Sequence, residues 1–96
     1  MILSFGDRDT EELFHGRAGR HTHRFPPDIV KVAVRKLDLL NAAQDLIDLR
    51  APPGNRLEAL RGDLRGRHSI RVNDQWRVLF RWTDMGPTEV RLLDYH

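Results

Sequence analysis

Hydrophobic and polar residues along this chain change rhythm once, from steps of three and four to steps of two, and the change divides a helical half from a β half. In the first half Val30, Ala33 or Val34, Leu37, Leu40, Ala43 and Ile47 recur at helical spacing. That stripe predicts a long amphipathic helix, opened by Pro26-Pro27-Asp28, where proline's missing N–H costs least, and ending near Leu49. Its apolar side is expected to cover a sheet, with contact to a protein partner as the other use of the stripe. In the second half Ile70 and Val72 alternate with Ser69 and Arg71, and Trp76, Val78, Phe80 and Trp82 alternate with Arg77, Leu79 and Arg81. Both runs read as strands with one apolar face.

Two turns could join these runs, and the side-chain pattern separates them. A two-residue turn at Asn73-Asp74 sets Arg71 against Trp76 and mixes the faces. A three-residue loop, Asn73-Asp74-Gln75, sets Val72 against Trp76, Ile70 against Val78 and His68 against Phe80, so the longer loop is expected. In that register Arg71 opposes Arg77 and Arg67 opposes Arg81, and like charges across a ladder are destabilising unless something anionic meets them. The anion is either a carboxylate on a neighbouring strand, from Glu58, Glu89 or Asp94, or the phosphate backbone of RNA.

The remaining segments are shorter. Residues 2–5 predict a strand at or next to the sheet edge, closed by Gly6 and Asp7. Asp9-Thr10-Glu11-Glu12 opens a short helix that stops near Gly16. Residues 17–25 are basic and without period, a loop. Ala51-Pro52-Pro53-Gly54-Asn55 is a turn, 56–60 a strand, 61–67 a connector with two glycines, 84–87 a second turn and 88–95 the last strand.

Ninety-six residues make one domain, 1–96, in two layers. The net charge is only +2, but fourteen arginines stand against two lysines, and seven of the sixteen basic residues fall within 56–82. Arginine's planar fork suits phosphate and stacks on bases; a GC-rich genome produces the same bias. The absence of cysteine excludes disulfides, thiolate zinc sites and a cysteine nucleophile. No apolar run is long enough to span a bilayer and the first five residues are too short for a signal sequence, so a cytoplasmic location is expected. His21-Thr22-His23, with His15 nearby, has metal-like spacing, but no carboxylate or further histidine sits at a matching distance; no metal and no cofactor is expected.

Several strings taken together, Leu60-Arg61-Gly62-Asp63, Ser69-Ile70-Arg71-Val72-Asn73, Gln75-Trp76-Arg77, Phe80-Arg81-Trp82 and Asp94-Tyr95-His96, resemble the HigB toxins of the RelE superfamily over nearly the whole chain. The resemblance implies an α+β, RelE-like fold, with a short N-terminal strand and two helices packed on a curved antiparallel sheet. It also implies a metal-independent endoribonuclease that cleaves mRNA in the ribosomal A site, neutralised by a HigA-like helix-turn-helix antitoxin. Operator DNA would be met only through that antitoxin, and no membrane is involved. By position, Arg61 stands where the family has a basic residue after its leucine, Arg77 where it has the arginine after tryptophan, and Asp94, Tyr95 and His96 where it has its terminal catalytic group. Glu58 departs from the family pattern, since many relatives have histidine there.

Metal-free cleavage of RNA needs a base for the 2′-hydroxyl, a cation for the phosphorane and an acid for the departing 5′-oxygen. Arg77 is the expected phosphate clamp, followed by Arg61 and Arg71, with Arg65, Arg67 and Arg81 completing the RNA-binding surface. His96 is the general-acid candidate, Tyr95 stacks on a base or bonds a phosphate, and Asp94 orients His96 or neutralises an arginine. Tyr95 and His96 are adjacent and share a site only where the strand ends. Two other readings stand beside this one: a non-catalytic RNA-binding or antitoxin-binding domain, and a nuclease acting on free RNA.

Overall fold

The computed structural model describes residues 1–16 and 24–94. Helix α1, Arg8–Phe14, begins one residue ahead of the expected Asp9 because Asp7 is its cap, accepting the Thr10 N–H at 2.8 Å. Thr10 is buried, and its hydroxyl accepts the backbone N–H of Leu92 at 2.9 Å, fastening the helix to the sheet. Helix α2, Pro27–Ala42, starts on proline as expected and buries Ile29, Ala33, Leu37 and Leu40.

The stripe thus starts at Ile29, with Val30 half-buried beside it, and α2 stops seven residues short of Leu49. Ala43 is extended, and a 3₁₀ turn, Leu46–Arg50, follows. The Asp48 carboxylate accepts the backbone N–H groups of Gln44 and Asp45 at 3.0 and 3.1 Å, an alternative to the helical ladder that apolar spacing does not reveal. Leu49 returns to the core, whereas Ile47 is 65% exposed.

Four strands follow: β1, Glu58–Ala59; β2, His68–Arg71; β3, Trp76–Thr83; and β4, Gly86–Asp94. They pair antiparallel in the order β1-β2-β3-β4. The β2–β3 register is His68 with Phe80, Ile70 with Val78 and Arg71 with Arg77. Asn73 shapes the loop, its Oδ1 accepting the N–H groups of Gln75 and Trp76. One face of the sheet, with Ile70, Val72, Trp76, Val78, Phe80, Val90 and Leu92, packs on α2 in a single core. Each such side chain contributes about 1.5–3 kcal/mol on burial.

Strand β1 is two residues long rather than five. Arg56 at its start takes a left-handed conformation, φ +44°, incompatible with a ladder, although Leu60 beyond it still donates to the Arg67 carbonyl at 2.9 Å. The N-terminal segment runs parallel along the outer edge of β4, with one bridge, Phe5 to Val90, and bonds from Leu3 to Pro87 and from Gly6 to Val90. Strand β4 starts two residues earlier than expected, at Gly86, which lies at φ +134°; a Cβ there would stand 2.6 Å from the Met1 carbonyl.

The β3–β4 pairing carries one irregularity. Leu79 faces Arg91 but Arg81 faces Thr88, so β4 holds one extra residue there. Glu89, at φ +53°, sits in this bulge, its N–H on the Ser4 hydroxyl at 3.0 Å. No helix among the described residues is long and apolar enough to cross a membrane.

Candidate functional site

The face of the sheet turned away from α2 carries the arginines. By register Ser69, Arg71, Arg77, Leu79 and Arg81 lie on it, with Glu58 joining through its pairing to Ser69 and Leu93 through its pairing to Arg77. Alternation alone puts them there. Leu60 and Leu79 are buried outside the main core, so this face has an apolar floor of its own.

Arg77 is the centre. It is only 8% exposed, and most of its polar edge is engaged. Nε donates to Ser69 Oγ at 2.7 Å, and Nη2 donates to the Arg56 carbonyl at 2.6 Å and lies 3.5 Å from the Ser69 carbonyl. Glu58 Oε2 is 4.0 Å from Nη2, and that carboxyl side chain is 54% exposed. Nη1 makes no hydrogen bond among the described residues, which leaves two of the five guanidinium donors for a ligand.

Carboxylates inside the protein answer part of the like-charge problem. Arg67 and Arg81 share Glu89, each at 3.0 Å from one of its oxygens. The bulge turns Glu89 between them. Gly66, at φ +91°, leaves room for the arrangement, since a Cβ there would meet Arg81 Nη1 at 3.0 Å. Arg71, opposite Arg77, pairs with Asp74 in the hairpin loop. Arg61 and Arg65 are exposed and form no ion pair among the described residues.

The structure therefore gathers Glu58, Ser69, Arg71 and Arg77 in one place, sets Arg67, Arg81 and Glu89 at the far end of the same face, and leaves Arg61 and Arg65 on the connecting loop. Asp94 pairs with Trp76, one step from Arg77, and accepts from Gln75 Nε2 at 2.8 Å. Tyr95 and His96 lie outside the described residues, as do His21 and His23. Among the described residues no three potential ligands gather as a metal site would require. His68 stands on the other side of the sheet, stacked on Phe80 at 6.2 Å, and does not join the arginines.

Three contributors escape a reading of the sequence. Ser69 was legible only as the polar partner in an alternating strand. The Arg56 carbonyl has no letter of its own. Lys36 of α2 donates to Asn55 Oδ1 at 2.5 Å behind the site, and burial lowers its pKa below the ordinary lysine value, with Arg35 and Arg71 pushing the same way.

Comparison with known proteins adds to this geometry. A family model described as the RelE-like toxin of type II toxin-antitoxin system HigB matches residues 3–96. The chain is similar to Toxin HigB-1 of Vibrio cholerae serotype O1, 46% identical over 85 residues that make up 88% of this chain and 86% of that protein. It is also similar to an uncharacterized protein of Haemophilus influenzae, 42% identical over 62 residues, 64% of this chain and 61% of the other. Among solved structures it is similar to the YoeB-YefM complex from Staphylococcus aureus, with a TM-score of 0.62 and 16% identity, covering 100% of this chain and 98% of that one. At such identity the likeness is one of fold.

Proposed function

Because the chain belongs to the HigB-like, RelE-like toxins of type II toxin-antitoxin systems, we propose that it is an endoribonuclease that cuts mRNA in the ribosomal A site and is silenced by a HigA-like helix-turn-helix antitoxin. It works in the cytoplasm as a single domain, without a metal, and meets operator DNA only through the antitoxin. The observation that carries the reading is Arg77: a nearly buried guanidinium, held on Nε and Nη2 and free on Nη1, beside an exposed carboxylate.

In this mechanism Nη1 of Arg77 binds a non-bridging phosphate oxygen and stabilises the charge that builds on it. Glu58 accepts the proton of the 2′-hydroxyl as that oxygen bonds to phosphorus, and His96 gives a proton to the 5′-oxygen as its bond to phosphorus breaks, leaving a 2′,3′-cyclic phosphate and a free 5′-hydroxyl. Asp94 orients His96, and Tyr95 stacks on the neighbouring base. Arg61, Arg65, Arg67, Arg71 and Arg81 bind flanking phosphates of mRNA. One histidine and one carboxylate are a thin acid-base set for a self-sufficient nuclease, which favours a reaction assisted by the ribosome.

A second reading is favoured by the partners of Arg67, Arg71 and Arg81, all of which already hold carboxylates: a non-catalytic domain that binds RNA or antitoxin. Inducing the protein in bacteria and mapping new mRNA 5′ ends, with and without translation, decides. Ends in frame with codons that vanish when ribosomes are blocked support the interferase; retained RNA without new ends supports the second reading; ends that persist without translation point to cleavage of free RNA.

A further inference from the structure

The turn between the helical and sheet halves does more than reverse the chain. Asn55 is fully buried, and its side chain is bonded on both sides: Nδ2 donates to the carbonyls of Leu49 and Ala51, at 3.1 and 3.2 Å, and Oδ1 accepts from Lys36 Nζ at 2.5 Å. Both amide donors are used, and α2, the 3₁₀ turn and the proline segment are tied at one point. The next residue, Arg56, is held at φ +44°, ψ +58°, a region that a side chain with a Cβ adopts only when its surroundings over-determine it. That conformation delivers the Arg56 carbonyl to Nη2 of Arg77.

We propose that Asn55 is a positioning residue for Arg77: by locking Arg56 in its left-handed conformation it aims the Arg56 carbonyl at Nη2, and so holds the guanidinium with its Nη1 edge turned to the phosphate. This role rests on the reading of Arg77 as the phosphate clamp. Ser69 fixes Nε from β2, and the Arg56 carbonyl fixes Nη2 from the turn, so rotation about the Nε–Cζ bond is blocked from two elements. Asn55 itself touches no RNA. Its loss acts on the orientation of a group that does, and a misplacement of about 1 Å in such a group lowers a rate by about 100-fold. The effect falls on turnover and leaves RNA affinity, set by the exposed arginines, nearly unchanged.

The test reads Arg77 directly by nitrogen-15 NMR, beside single-turnover cleavage on translating ribosomes. In the native protein blocked rotation keeps the Nη1 and Nη2 resonances of Arg77 apart and protects its Nε–H from exchange. Asn55→Ala is expected to merge the two resonances, raise Nε–H exchange about tenfold and lower the cleavage rate by about tenfold or more, with RNA affinity within about twofold. Arg56→Val, which resists positive φ, is expected to merge the resonances and to slow cleavage relative to Arg56→Gly, which removes the same exposed charge, in a protein whose Asn55 is intact, and it decides the matter if Asn55→Ala does not fold. Arg56→Gly, which accepts positive φ freely, keeps the resonances apart. Separate resonances and a native cleavage rate in folded Asn55→Ala or Arg56→Val overturn the proposal. A native protein that cuts no RNA overturns the nuclease reading, and the resonances alone then decide whether Asn55 holds Arg77.

Discussion

Arg77 donates its Nε–H to Ser69 Oγ at 2.7 Å, although the ladder sets Arg71, and not Ser69, directly opposite it. The guanidinium therefore leans diagonally along the sheet, away from the like charge and toward the hydroxyl and the Arg56 carbonyl. Two arginines face each other across the strands without their charges meeting.

From that lean follows a difference between two substitutions. Arg77→Lys keeps the charge but loses the fork, and is expected to lower cleavage by about 100-fold or more. Arg77→Ala also leaves Ser69 Oγ and the Arg56 carbonyl without their donor, and is expected to cost about 1–3 kcal/mol of stability besides. Urea denaturation alongside growth arrest separates the two; full toxicity in well-folded Arg77→Lys removes Arg77 from the chemistry.

Glu89 holds Arg67 and Arg81 together, so neutralising it frees both. Glu89→Gln is expected to lower stability by up to about 1 kcal/mol, since both ion pairs are partly exposed. Binding of a short single-stranded RNA should tighten, with a steeper dependence on salt, by about 0.7 in log–log slope for each arginine that turns to a phosphate. Unchanged affinity and slope would show that these two arginines serve the fold alone.

Thr10 is the acceptor for a buried β4 amide. Thr10→Val keeps the shape and removes the oxygen, leaving the Leu92 N–H unpaired at a cost of about 1–3 kcal/mol. Hydrogen exchange at Leu92 should accelerate by the matching factor, while cleavage per folded molecule stays at its native rate.

The depressed pKa of Lys36 makes stability depend on alkaline pH. The folded protein releases this proton at a lower pH than the unfolded chain, so between the lowered folded value and the ordinary lysine value the unfolded state binds more protons and stability rises with pH. Below that window the folded state carries the full cost of a charged, partly buried ammonium beside Arg35 and Arg71. Lys36→Met is expected to flatten this rise, measured by urea denaturation across the alkaline range; an identical pH slope in both proteins would exclude Lys36 as its source.

The hairpin was fully legible in the sequence, because only the three-residue loop keeps Ile70, Val72, Trp76 and Val78 on one side, and a one-residue slip would have inverted the strand. The end of α2 was not, because no proline or glycine marks it; a carboxylate three residues beyond Asp45 competes for the backbone instead. The arginine face was readable from alternation. The grip on Arg77 was not, since it depends on a backbone carbonyl whose direction is set by one residue's positive φ, and nothing in the letter Arg at position 56 announces that conformation.

The extra residue at Glu89 also shifts the count along β4. On β4 Thr88 lies on the arginine face before the bulge and Arg91 lies on it after, so even and odd positions exchange sides there. Deleting Glu89 would close the bulge and restore plain alternation, with Val90 and Leu92 still in the core and Arg91 and Leu93 still on the arginine face; what would go is the carboxylate shared by Arg67 and Arg81. A single inserted residue thus works as an outrigger: it hangs a charge beside the ladder without moving any neighbour to the other side of the sheet.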